Sequence, residues 1–227
     1  MSLLLAGASA VSRSAAHAQV GHLPEQSPYD DVKLGQTVSF MAGWSAVKRD
    51  PAGVAPASSI AAVLRYDAAV GGPASLFVRY TLAPSSRNVL APNQPRATRV
   101  ARNQSVATHA LEGGIDIALT GKKTWRSLMP LLSGGVGVVS DFAATDSGAY
   151  RFGTKFAFSY GLGLRYFPKR GPQLRLDVTN SIWQFQYPDR YFVLTSDTTS
   201  VLTNTNDRAA WRGTWGLSAG VTIPIFR

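Results

Sequence analysis

Cysteine is absent from the 227 residues, and histidine occurs only at positions 17, 22 and 109. Without thiols there is no disulfide framework, no thiolate zinc site and no cysteine nucleophile. His109 lies in Thr108-His109-Ala110-Leu111. Residues two apart on a strand share a face, so a hydroxyl at position 111 would stand beside the imidazole as a nucleophile beside its base. Position 111 is leucine, and that chemistry is missing. No His/Asp/Glu cluster has the spacing of a metal site. The pairs Gly113-Gly114 and Gly134-Gly135, with Gly137 nearby, fall inside alternating segments, and none precedes the Lys-Ser/Thr pair of a phosphate-cradling loop. They read as close backbone approach or bends in strands. These residues predict no enzyme, no metal and no cofactor.

The charged residues carry more information. Arg65, Asp67, Arg79, Glu112, Asp116, Lys155, Arg165, Arg175, Asp177 and Arg212 all fall on one phase of segments that alternate with period two. If that phase lines the inside of a narrow barrel, the charges should cross the lumen as a network. The blander outcome is a plugged structural barrel. The sharper one is a small, gated, mildly anion-preferring pore, because basic residues outnumber acidic ones on this phase. A second group, Arg87, Arg96, Arg99 and Arg102, has no acidic residue among it between Ala83 and Ser105. It reads as a basic loop able to attract a phosphate-bearing lipid. The positive charge is spread too widely for a nucleic-acid surface.

Positioning those charges requires strands. The clearest segment places Phe156, Phe158, Tyr160, Leu162, Leu164 and Tyr166 on one face, and Lys155, Ala157, Ser159, Gly161, Gly163 and Arg165 on the other. An amphipathic helix cannot produce that split. Alternation predicts eight strands at 36–46, 59–69, 74–82, 106–120, 128–140, 150–167, 173–187 and 211–226, the fifth with an ambiguous phase around Pro130, Leu131-Leu132 and Val138-Val139. The connections alternate between short (70–73, 121–127, 168–172) and long (47–58, 83–105, 141–149, 188–210). Loops of about 20 residues are unusual in a compact soluble domain. They are expected of an outer-membrane barrel, with its even strand count, short periplasmic turns and long outer loops.

The phase opposite the charges carries Ile60, Leu64, Leu76, Val78, Leu111, Ile115 and Ile117. A charge-free face suits lipid, where Arg or Lys at mid-bilayer costs about 2–4 kcal/mol. A soluble barrel would put its polar face outside. On the same apolar phase, Trp44, Tyr80 and Trp211 are expected at the outer rim and Tyr66 and Tyr166 at the inner rim, as two aromatic girdles. This patterning also explains the composition. Charged residues make up 16% of the chain, against about 25% in soluble domains. The net charge is nonetheless +10, and no apolar run is long enough for a helical span.

Residues 1–18 read as a signal peptide, with Leu3–Val11 apolar and Ala16-His17-Ala18 at the cleavage site. Residues 19–35, containing His22, form a periplasmic lead-in, and 36–227 form the barrel. With this leader, the Phe156–Tyr166 alternation and the closing segment Trp211–Phe226, the chain resembles the small eight-stranded outer-membrane barrels of the OmpA transmembrane-domain and OmpW-like type. Such barrels usually end on an outward aromatic, whereas Phe226 is out of phase with Ile223 and Ile225 when counted along the sequence. The resemblance implies an all-β, antiparallel, up-and-down transmembrane barrel in a bacterial outer membrane, with a structural role or a narrow pore. Its expected partner is outer-membrane lipid, with lipopolysaccharide reached through Arg87, Arg96, Arg99 and Arg102. An outer-membrane lipid-modifying enzyme and a secreted soluble ligand-binding barrel are the alternatives.

Overall fold

The computed structural model describes residues 27–226; the expected leader, His22 and the first part of the expected lead-in lie outside them. Ten strands follow in chain order: β1 (Tyr29–Asp31), β2 (Gln36–Val47), β3 (Ser59–Gly71), β4 (Ala74–Leu90), β5 (Val100–Ala118), β6 (Lys123–Trp125), β7 (Leu128–Ser140), β8 (Lys155–Tyr166), β9 (Gln173–Gln186) and β10 (Ala209–Phe226). Eight of them, β2 to β5 and β7 to β10, pair antiparallel with their successors, and β10 pairs back onto β2. The ladder therefore closes, and the wall has no free edge over its paired length. No helix among the described residues is long and apolar enough to cross a membrane.

The barrel has the eight strands expected, and two short strands are added to it at one end. The lead-in strand β1 pairs with β6, which sits inside the connection expected to be a plain turn, with Asp30 opposite Thr124. Val32 and Leu34 then pack with Phe167 against Ala118, Met129 and Leu131, forming an apolar stopper at that end of the lumen.

Three boundaries also move. β4 and β5 pair as far as Leu90 opposite Val100, so the 23-residue loop expected at 83–105 shrinks to residues 91–99. The hairpin continues past the apolar band, where Ser85, Ser86, Arg87 and Asn88 no longer alternate with apolar residues. β8 starts at Lys155 rather than Tyr150, because Tyr150 and Phe152 turn into a buried cluster. β10 starts at Ala209.

In β7, Met129, Leu131, Ser133 and Val139 are buried, while Leu132, Val136 and Val138 are exposed, which resolves its phase. The β10–β2 register shifts between Pro224 and Phe226, and Phe226 falls opposite Gln36.

The outside of the wall is apolar. Leu64, Val78, Ile115, Leu162 and Leu217 are each 46–60% exposed, and the inward charges lie behind them. Exposing this belt to water would cost about 25 cal/mol per Å² of apolar surface, so a hydrocarbon surround is its stable environment. The secreted soluble barrel is excluded by this polarity.

Candidate functional site

Two arginines and three aspartates meet inside the barrel below mid-height. Alternation on β3, β5 and β9 turns Arg65, Asp67, Asp116, Arg175 and Asp177 inward, and closure brings the three strands' inner faces together. Arg65 donates from Nε to Asp67 at 2.9 Å and from Nη2 to Asp116 at 2.5 Å. Arg175 donates from Nε to both oxygens of Asp177 at 2.8 and 2.9 Å, and from Nη2 to Asp116 at 2.9 Å. Its Nη1 reaches Asp67 at 3.3 Å, and Ser133 on β7 donates to the other Asp116 oxygen at 2.7 Å. Arg65 is fully buried, and the other four are 2% exposed.

The ladder makes this arrangement necessary. Arg65 lies directly opposite Arg79, and Arg165 directly opposite Arg175. Like charges so placed repel, and each arginine escapes by turning to a carboxylate or amide elsewhere. Arg79 takes Glu112, its partner on β5, with Nε and Nη2 at 2.8 and 2.7 Å from Oε2. Arg165 donates to Gln173. Lys155 and Arg212 share the inward phase but join no ion pair among the described residues: Lys155 lies over the rings of Phe152 and Phe185, and Arg212 donates to the Trp211 carbonyl.

Phe77 is the floor on which Arg65 rests, with the guanidinium carbon 3.8 Å above the ring centroid. The ring fits because Gly114 and Gly135 carry no side chain. A Cβ at Gly114 would come within 2.7 Å of Phe77 Cζ, and one at Gly135 within 3.1 Å.

A second closure lies at the opposite end, built from loops. Asp50, Arg87, Asp141, Asp146, Tyr150, Tyr187 and Tyr191 come from four separate connections or strand ends. Arg87 donates to Asp146 at 2.7 Å, lies 3.9 Å from Asp141 and covers the Tyr150 ring at 5.3 Å. Tyr187 donates to Asp50 at 2.8 Å. The rings of Tyr150, Tyr187 and Tyr191 stack mutually at 6.1–6.3 Å, with Phe185, Val54 and Leu202 around them. Burial raises the phenol pKa of all three tyrosines above the usual range. The carboxylate of Asp50 adds to the rise at Tyr150 and Tyr187, and that of Asp146 at Tyr191. Between this cap and the ion cluster the lumen keeps a cavity of ≈ 80 Å³, lined by Arg79, Glu112, Ser59, Thr108, Ser181, Trp183 and Thr214 among others.

The basic loop is corrected by this geometry. Arg87 is part of the cap, and Arg99 is buried with hydrogen bonds to the carbonyls of Ser200 and Thr199. Arg96 and Arg102 are exposed. The four arginines therefore do not make one surface. The cap as a whole was missed by sequence reasoning, since Arg87 and Asp146 are 59 residues apart and no local pattern links them.

The girdle residues Trp44, Tyr66, Tyr80, Tyr166 and Trp211 all point outward, at 36–50% exposure. Their heights differ from expectation in one pair. Tyr80 lies opposite Leu64, a single outward position from Tyr66. The two are about 7 Å apart along the strand, whereas opposite rims are about 25 Å apart. Trp211 contacts Phe158, and Trp215 contacts Tyr160, so the aromatics gather on the β8–β10 side. His109 faces outward as well, with Nδ1 2.7 Å from the Tyr80 hydroxyl and its ring 5.1 Å from that of Phe142.

The chain matches no protein-family profile and no curated protein. Among solved structures it is similar to Neisserial surface protein A, at 12% identity and a TM-score of 0.48, covering 88% of this chain and 98% of that one. It is also similar to the outer membrane protein OprG from Pseudomonas aeruginosa, at 12% identity and a TM-score of 0.45, covering 86% and 98%. A third similarity is to Ail of Yersinia pestis in complex with the heparin analogue sucrose octasulfate, at 16% identity and a TM-score of 0.37, covering 84% and 100%.

Proposed function

We propose that this chain is a bacterial outer-membrane barrel with a structural role, whose lumen is closed to solutes. The observation that carries the reading is the five-residue cluster of Arg65, Asp67, Asp116, Arg175 and Asp177, which joins three strands across the interior with every side chain buried. A solute passing this point has to break several charge-assisted hydrogen bonds in a low-dielectric interior. The aromatic cap and the Val32–Leu34 stopper cover the two ends with loop and lead-in residues, leaving the cluster as the closure built from the wall itself. The lipid-facing belt is the other half of the role, and its partner is the surrounding membrane lipid. The exposed Arg96 and Arg102 are placed to meet phosphate groups of an outer leaflet. No catalytic step is assigned; the outward His109 pairs with the Tyr80 phenol on the lipid-facing wall.

The test is fractionation with heat-modifiable gel mobility. The protein should collect in the outer-membrane fraction and migrate faster unboiled than boiled. Deleting it should raise envelope permeability to detergent without altering lipid A acylation. Recovery as a soluble monomer without detergent contradicts the reading.

A further inference from the structure

The chamber between the ion cluster and the cap has an excess of hydrogen-bond donors. Trp183 on β9 and Arg212 on β10 lie directly opposite each other in the ladder. The indole Nε1–H of Trp183 and the Nε–H of Arg212 are both buried without an acceptor among the described residues, and neither group can accept. Trp183 is 6% exposed and lines the cavity. The hydroxyls of Ser59 and Thr108, also on the cavity wall, are buried and unpartnered. The one carboxylate on that wall, Glu112, already has both oxygens engaged, one by Arg79 and the other by Ser181 at 3.2 Å. Unmet buried donors are costly, and a group offering several acceptor atoms at once relieves them.

We infer that this chamber is a binding site for a small oxyanion, held by the Trp183 indole, the Arg212 guanidinium and the hydroxyls of Thr108 and Ser59. A volume of ≈ 80 Å³ suits a nitrate- or carboxylate-sized group and excludes a sugar or a nucleotide. Positive charge supports an anion over a neutral acceptor: Arg212, opposite the cavity-lining Trp183 in the ladder, has no ion-pair partner among the described residues, whereas Arg79 on the cavity wall is balanced by Glu112. Access runs beside Pro56 and Ala57, which line the cavity near the rim. Their loop is tied to β4 by Ala57 N–H to the Ser86 carbonyl at 2.8 Å and by the Ser85 hydroxyl to the Ala57 carbonyl. Loosening this tie opens the chamber from outside while the ion cluster below stays shut. The lumen is thus a blind pocket, a role beyond the structural one.

Trp183 is a built-in reporter. Nitrate quenches indole fluorescence, so the folded barrel in neutral detergent is titrated with sodium nitrate at constant ionic strength, balanced with gluconate, which is too large for the cavity. The expected result is a saturable quench that disappears in Trp183→Phe and whose midpoint rises about tenfold in Arg212→Gln, as loss of a hydrogen bond to a charged group implies. Thr108→Val, which changes no charge, should raise the midpoint about fivefold and serves if Arg212→Gln does not fold. Quenching that stays linear in nitrate with the same slope in Trp183→Phe means a chamber holding only water and overturns the proposal. A saturable quench that survives in Trp183→Phe, or is unchanged in Thr108→Val, overturns it equally. Heat-modifiable mobility is recorded for every variant, so a failed barrel and a failed anion site give different results.

Discussion

Arg65 lies flat on Phe77, its guanidinium carbon 3.8 Å from the ring centroid, while its nitrogens reach Asp67 and Asp116. The aromatic face and the carboxylates thus hold one buried cation from two sides. This contact links the apolar packing of the wall to the charge cluster that blocks the lumen.

Removing one partner from the cluster should be severe. Asp116 accepts from Arg65, Arg175 and Ser133 at once. Asp116→Asn should lower unfolding stability in urea by about 3–5 kcal/mol, the range for breaking a buried ion pair and stranding its partner. Phe77→Leu, which keeps the charges but removes the ring, should cost less, about 2 kcal/mol from lost packing and cation–π contact. Equal losses in the two variants would contradict the ranking.

The glycines beneath Phe77 give a second prediction. Gly114→Val places branched carbon where Phe77 and the backbone of β7 already stand. It should lower the temperature of heat-modification as much as Phe77→Leu does, or abolish folding. Gly134, whose added Cβ meets nothing within 4 Å, should accept alanine with little change.

Much of the wall was legible from sequence, and the reason is physical. Between lipid and a filled lumen each residue has one of two environments, and period-two alternation records them directly, as in Phe156–Tyr166. The signal fades where a strand leaves the lipid. From Ser85 to Asn88 both faces are polar, so the extended β4–β5 hairpin read as a loop. The inward charges were legible as a set, because their phase is local information. Their partners were not, since Arg175 and Asp67 are 108 residues apart and meet only through closure. The cap around Tyr150 left no periodic trace, and its residues come from loops of irregular backbone.

The cap should respond to alkali. Tyr150, Tyr187 and Tyr191 have folded-state pKa values above the ordinary phenol range, with burial the leading cause. An acid whose folded pKa is raised keeps its proton where the unfolded chain has lost it. Its contribution is therefore complete below about pH 10 and declines as pH rises beyond that value. Absorbance at 295 nm should show these three of the eight tyrosines titrating late and together with loss of protease resistance in the outer loops. Tyr187→Phe, which removes the bond to Asp50, should shift that loss to lower pH. Titration of all eight as ordinary phenols would contradict a buried cap.

Charge on the outer wall should be costly in a way that charge on the loops is not. Leu162 is 60% exposed in the middle of β8, and Leu194 is 66% exposed in an outer loop. Leu162→Arg should cost about 2–4 kcal/mol and reduce insertion into bilayers. Leu194→Arg should leave insertion unchanged. Similar behaviour of the two would mean that the exposed belt of the barrel does not meet lipid.

Planar-bilayer recording tests the closed lumen most directly. The purified wild-type barrel should insert without ion conductance, because Arg65, Asp67, Asp116, Arg175 and Asp177 span the interior in one buried cluster. Arg65→Ala/Asp116→Ala, which opens that cluster while preserving its charge balance, should be the first variant to show channel events. Discrete, persistent channels from the wild-type protein would contradict the account.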